Sequence, residues 1–134
     1  MELDNYIPNP VFSEIHSMDV PFSPTETDEA FRALTLGEVR LLRPLMWIRA
    51  LPAKLLGKDL PLPYDKPQIE FLPEMGFTIF HDEPAVEFVM GEVGQPWKLD
   101  PTEEEPHRWT REEFIEFDEP HFMKIAANYR YEPI

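Results

Sequence analysis

The segment Ala85-Val86-Glu87-Phe88-Val89-Met90-Gly91-Glu92-Val93-Gly94-Gln95-Pro96-Trp97 alternates at the period of a strand and then breaks. Side chains two apart share a face, so Val86, Phe88 and Met90 line one side and Glu87 and Val89 the other. Gly91 and Gly94 permit backbone shapes that a side chain forbids, or a close approach of another group. Pro96 rules out central ladder pairing at its own position. The expectation is a half-buried strand that bends sharply at the glycines and ends on a buried Trp97 whose indole N–H is hydrogen-bonded. Such an element suits the wall and floor of a cavity. An ordinary bulge with a core tryptophan is the plainer alternative.

Upstream, Gln68 to Leu72 and Phe77 to His81 read as short strands joined by Pro73-Glu74-Met75-Gly76, and Asp82-Glu83-Pro84 turns into the central segment. Residues 67–93 therefore read as an antiparallel meander. Downstream, Lys98 to His107 is acidic and loop-like. Thr110-Arg111-Glu112-Glu113 fits a capping box opening a helix over Thr110 to Phe117. After the turn Asp118-Glu119-Pro120 comes a last strand, His121 to Tyr131. It puts Met123, Ile125, Ala127, Tyr129 and Tyr131 on one face and Lys124, Asn128 and Arg130 on the other.

In the N-terminal half, residues 1–10 read as an irregular lead and Val11 to Val20 as a first strand, with Phe12, Met18 and Val20 on one face. Ser23 or Thr25 caps a helix with Pro24 in its first turn, and Glu26, Asp28 and Glu29 suit the positive end of its dipole. Ala30, Phe31 and Leu34 form its apolar side, and Gly37 ends or interrupts it. From Leu36 to Leu56, Leu41, Leu42, Leu45, Ile48, Leu51, Leu55 and Leu56 recur at helical spacing. Pro44 and Pro52 are expected to divide this stretch into two or three short helices, with Gly57 as the stop. Leu60 to Pro67 is a proline-bearing loop.

The chain has 134 residues and is 43% hydrophobic, with ten Phe, four Tyr and three Trp. That suits one domain, residues 1–134, with a single core. No apolar run approaches a membrane span, and a cytoplasmic, soluble protein is expected. The absence of cysteine excludes disulfides and thiolate chemistry. A net charge of −14 repels phosphate backbones, so nucleic acid is not an expected partner. Arg32, Arg40, Arg43, Arg49, Lys54 and Lys58 nevertheless lie close together, and the acids concentrate between Asp100 and Glu119. Weak attraction between these regions is plausible. A basic helix bearing Leu and Trp47 can lie on an anionic membrane. The simpler expectation is a helix packed on a sheet with solvated arginines.

The order of elements carries a resemblance. Val20-Pro21-Phe22-Ser23-Pro24 leads into Ala30-Phe31-Arg32-Ala33-Leu34, followed by Arg49-Ala50-Leu51-Pro52-Ala53-Lys54-Leu55-Leu56-Gly57. Gly91 to Trp97 and then Phe117-Asp118-Glu119-Pro120 into Lys124-Ile125-Ala126 complete the pattern. Together these blocks, spanning residues 11–131, resemble the START-like superfamily, which includes birch-pollen-allergen-like, polyketide cyclase/dehydrase and lipid-transport proteins. The last two blocks resemble an uncharacterised bacterial branch, whose members often have glycine where this chain has His121. The resemblance implies an α+β, helix-grip-like fold: an antiparallel sheet wrapped on helices around a cavity for a lipid-like or polycyclic ligand, without metal or cofactor. The family also ends in further strands and a long C-terminal helix. The chain stops before them, so it is expected to be incomplete at its C-terminus or to close its cavity through another subunit.

The expected function is non-covalent binding of an apolar or lipid-like small molecule between sheet and helices. The expected ligand-binding residues are Trp47, Phe71, Phe77, Ile79, Phe88, Met90, Trp97, Met123, Ile125 and Tyr129. The alternatives are a cyclase or dehydratase on the same scaffold and a protein–protein module using the exposed sheet face. His16 beside Glu14, and His81 beside Asp82 and Glu83, are the candidate acid–base groups, against the plainer reading of surface histidines. No nucleophile elbow, phosphate loop or His-x-x-x-His pair occurs. Glu103-Glu104-Glu105 lacks the alternating spacing of a calcium loop and reads as solvated. The apolar face of the last strand invites pairing with a second copy, so the expectation is either a homodimer through this strand or a chain truncated from a longer parent.

Overall fold

In the computed structural model, which describes residues 2–59, 64–98 and 107–134, the central segment is the middle strand of a three-stranded antiparallel sheet. The order is β1 (Thr78–Glu83), β2 (Glu87–Gly94), β3 (Met123–Arg130). β2 pairs with β3 without interruption, from Glu87 opposite Arg130 to Gly94 opposite Met123. The expected sharp bend at the glycines is therefore absent. The irregularity lies across the ladder, in β1, where the register shifts between Ile79 and His81.

β2 is also not half-buried. Phe88 and Met90 join Leu36, Phe71 and Leu72 in one apolar cluster, while Val89 joins Tyr6 and Phe114 in another. Helical elements cover one face of the sheet, and the N-terminal lead with the last helix covers the other. Tyr6 stacks 4.9 Å from Phe80, so the lead is part of the core. This second layer explains Gly91. A Cβ there would sit 2.7 Å from a ring carbon of Phe80 and 2.8 Å from one of Phe114. Close approach is the reason for the glycine.

The helices follow their caps. α1 (Pro24–Ala33) opens with a full capping box. The Glu26 N–H donates to Ser23 Oγ at 3.3 Å, and the Ser23 N–H donates to Glu26 Oε2 at 2.9 Å. It ends before Gly37, which lies in a separate 3-10 turn, Leu36–Glu38. α2 (Leu42–Leu55) is one helix. Pro44 falls in its first turn, where no intrahelical N–H is required, and the single interior Pro52 does not divide it. Gly57, at φ +74°, follows as the expected stop. α4 (Arg111–Glu116) carries the predicted Thr110–Glu113 box.

Two expected strands are not strands. Gln68–Phe71 forms the short helix α3, because the adjacent Phe71 and Leu72 enter the same cluster. Strand alternation would send them to opposite faces. Val11 to Val20 has no ladder partner: Val11, Phe12, Ile15 and Met18 are 74% to 107% exposed. An unpaired strand has nothing to satisfy its backbone groups or bury its apolar face. The Glu103–Glu105 run and the first half of the Leu60–Pro67 loop lie outside the described residues. The described architecture is α+β, with four α-helices and this sheet.

Candidate functional site

α2 has two apolar sides. Ala50 and Ala53 are buried, Met46 is half-buried, and Leu42 packs against the core cluster. These residues recur four, four and three apart, which is one helical face. Leu41, Leu45, Ile48 and Leu55 recur four, three and seven apart on the opposite side and are 59% to 80% exposed. The helix is seated by its small side and presents its large one. This corrects the expectation of a helix packing its leucines on the sheet. Trp47 is exposed as well.

Arg49 Nη1 donates to the Pro96 carbonyl at 2.7 Å, tying α2 to the turn that carries Trp97. Trp97 is 58% exposed. The expectation of a buried tryptophan fails because β2 runs straight to Gly94, leaving the turn at the rim. Opposite Gly94 is Met123. Met123, Ile125 and Tyr129 share the α1-covered face of β3, yet each remains 38% to 41% exposed. α1 reaches only one end of that face, where the Phe31 ring lies 4.1 Å from Tyr129 and 5.6 Å from Phe88.

The expected ligand-binding residues therefore divide. Phe71, Phe88 and Met90 are buried together, with Phe77 and Ile79 packed against them, so they touch one another as core. Trp47, Trp97, Met123, Ile125 and Tyr129 contribute to the outer surface. Leu41, Leu45, Ile48 and Leu55 were missed. Their signal was in the sequence as a second periodic set, on a different side of the helix from Leu42, Met46, Ala50 and Ala53.

The histidines do not converge. His16 Nε2 lies 3.1 Å from Glu14 Oε2, and both side chains are mostly exposed. His81 Nε2 lies 3.6 Å from Glu83 Oε2 on β1. Among the described residues no cluster of three or more His, Cys, Asp or Glu gathers at a metal-binding distance. A shallow depression bordered by Glu70, Glu74, Phe77, His107 and Arg108 is open to solvent, with Lys66 Nζ pairing Glu74 Oε1 at 2.6 Å.

Buried Asp28, with Arg32 and Asp82, clamps α1 to the sheet. Arg32 donates through Nε to Asp28 Oδ2 at 2.9 Å, through Nη1 to Asp82 Oδ2 at 3.0 Å and through Nη2 to Asp82 Oδ1. Asp28 Oδ2 also accepts the Ala85 N–H at 3.0 Å, in a β1–β2 turn where Ala85 has φ +60°. Hydrogen bonding to Arg32 holds Asp82 below the usual carboxylate range, and the same bonds raise Arg32. Neither Asp28 Oδ1 nor the Tyr131 hydroxyl finds a hydrogen-bond partner. Burial, then the Asp28 charge, push the Tyr131 phenol up. These contacts fasten elements together.

No family model, curated protein or solved structure matches the chain. Among the described residues no helix is long and apolar enough to cross a membrane.

Proposed function

We infer that this chain is a non-covalent binding module whose recognition surface is the apolar outer side of α2 together with the open end of β3 and Trp97. The observation that carries this reading is the exposure of Leu45 and Ile48 on α2, of Trp97 in the turn that Arg49 ties to α2, and of Met123 and Ile125 on β3. Exposed apolar surface is unfavourable by roughly 25 cal/mol per Å². Large contiguous patches mark interaction sites. A partner of extended apolar shape fits this surface best. A lipid-like small molecule is the second reading, favoured by the proximity of Trp97 to the Met123 end of the sheet.

The START-like, helix-grip ancestry belongs to the same proposal. α1, opened by Ser23-Pro24, lies against an antiparallel sheet through Phe31. His121 has φ +68°, the left-handed region where the family pattern carries glycine. An enzymatic role draws no support from His16 and His81, which stand apart from this surface. His81→Gln is expected to leave binding unchanged.

The test is native mass spectrometry of the full chain with titration of a neutral naphthylamine dye. Dye binding that Ile125→Lys weakens at least fivefold, at an unchanged urea midpoint, is expected. A retained small-molecule adduct selects the lipid-like reading. A wild type with no adduct, no dye binding and no association with any partner rejects the module.

A further inference from the structure

We propose that the stripe Leu41, Leu45, Ile48 and Leu55 on α2 is the seat of the N-terminal arm, residues 11–22, of a second copy of this chain. The inference rests on the binding reading above and names its partner. The arm and the stripe are both left exposed among the described residues of one chain. Val11, Phe12, Ile15, Met18 and Phe22 are 64% to 107% exposed, and the stripe residues 59% to 80%. In one copy, then, neither surface covers the other. No backbone hydrogen bond holds residues 8–22 to any described segment. The arm alternates well enough to read as a strand, yet the described residues of its own chain offer it no ladder and no apolar cover. A surface on another copy supplies the cover.

Charge selects the occupant. Residues 39–58 contain no Asp or Glu, and Arg40, Arg43, Arg49 and Lys54 make no ion pair with a described carboxylate. The arm contains Glu14 and Asp19 and no Lys or Arg. Arm on α2 therefore sets acid against base. α2 on α2 would set three cations, Arg43, Arg49 and Lys54, against three. An anionic membrane would have to accept a body of net charge −14. Reciprocal exchange of arms about a twofold axis uses each surface twice, the commonest closed arrangement for like chains.

The chain has no cysteine, which makes the test direct. Ile15→Cys and Ile48→Cys full-length variants are prepared separately, mixed and mildly oxidised. The expected product is a mixed disulfide dimer joining the arm of one copy to α2 of the other, in excess over either self-linked species. Sedimentation of the unmodified protein at micromolar concentration is expected to show a dimer, and Ile15→Asp or Ile48→Asp to raise its Kd at least tenfold. Both positions are exposed in one copy, so their urea midpoints should match the wild type at concentrations low enough for every variant to be monomeric. Predominant Ile48-to-Ile48 linkage, an intramolecular link in the double variant, or a monomer that binds vesicles containing phosphatidylserine overturns the proposal. A monomeric wild type that still binds the apolar dye refutes this partner and leaves the binding module standing. Loss of both removes both.

Discussion

Single side chains carry the sharpest consequences of burial. Phe88 is fully buried where α1, α3 and β2 meet, so Phe88→Ala is expected to cost about 3–5 kcal/mol. Trp97, exposed on its turn, should lose less than about 1 kcal/mol on truncation to Ala, as surface substitutions do. Urea unfolding of the two variants checks both at once, and equal losses would contradict the assigned burial. Tyr131 offers a subtler case. Its hydroxyl is buried without a partner, and such a group costs about 1–3 kcal/mol when left unsatisfied. Tyr131→Phe is therefore expected to be neutral or stabilising, and a loss above about 1 kcal/mol would mean that the phenol bonds Asp28 in solution.

At the scale of elements, caps and clamps set the boundaries. The sequence narrowed the α1 cap to Ser23 or Thr25; the structure selects Ser23, with Glu26 completing the box, and Ser23→Ala should cost about 1 kcal/mol. Lys124 acts across elements. Its ammonium donates to the Ile115 and Phe117 carbonyls at 3.0 and 3.3 Å, closing the C-terminal end of α4 from β3. Burial depresses its pKa. Arg32 is the corresponding clamp for α1. Arg32→Met strands Asp28, which is almost wholly buried, without its cation. A loss of roughly 2–3 kcal/mol is expected, below the 3–5 kcal/mol of fully buried pairs because Arg32 is partly solvated. The thermal midpoint of that variant at neutral pH tests it.

For the whole molecule, pH dependence follows from the carboxylates. Burial alone would raise Glu87, but hydrogen bonds from Asn128 Nδ2 at 2.7 Å and the Glu2 N–H at 3.3 Å hold it below its usual value. Asp82 is lowered by Arg32. A folded pKa below the unfolded one means that the unfolded chain binds more protons as pH falls. The contribution is complete above the unfolded carboxylate range, about pH 4, and is lost as pH falls through the folded values. Stability should therefore be flat near neutrality and decline below about pH 4. Glu87→Gln should flatten that decline in urea midpoints measured from pH 7 to 3. An unchanged acid limb would show that Glu87 is not linked to folding.

The sequence by itself determined what depends on near neighbours. It marked the cap at Thr110, the two strands around Asp82 to Pro84 and the last strand, and it narrowed the α1 cap to Ser23 or Thr25 and the role of Gly91 to an unusual backbone shape or a close approach. These follow from φ/ψ preference, local hydrogen bonding and side-chain period. Tertiary structure decided which apolar face is covered and by what. Tyr6 became core because the far face of the sheet needed a second layer. Phe71 and Leu72 became helical because both enter one cluster. Trp97 was left at the rim by a strand that did not bend. Val11 to Val20 has strand-like alternation but is not a strand, because a ladder requires a neighbour that local sequence cannot specify. The same reason left the outer stripe of α2 unassigned: its period is local, and its exposure is a property of the packed molecule.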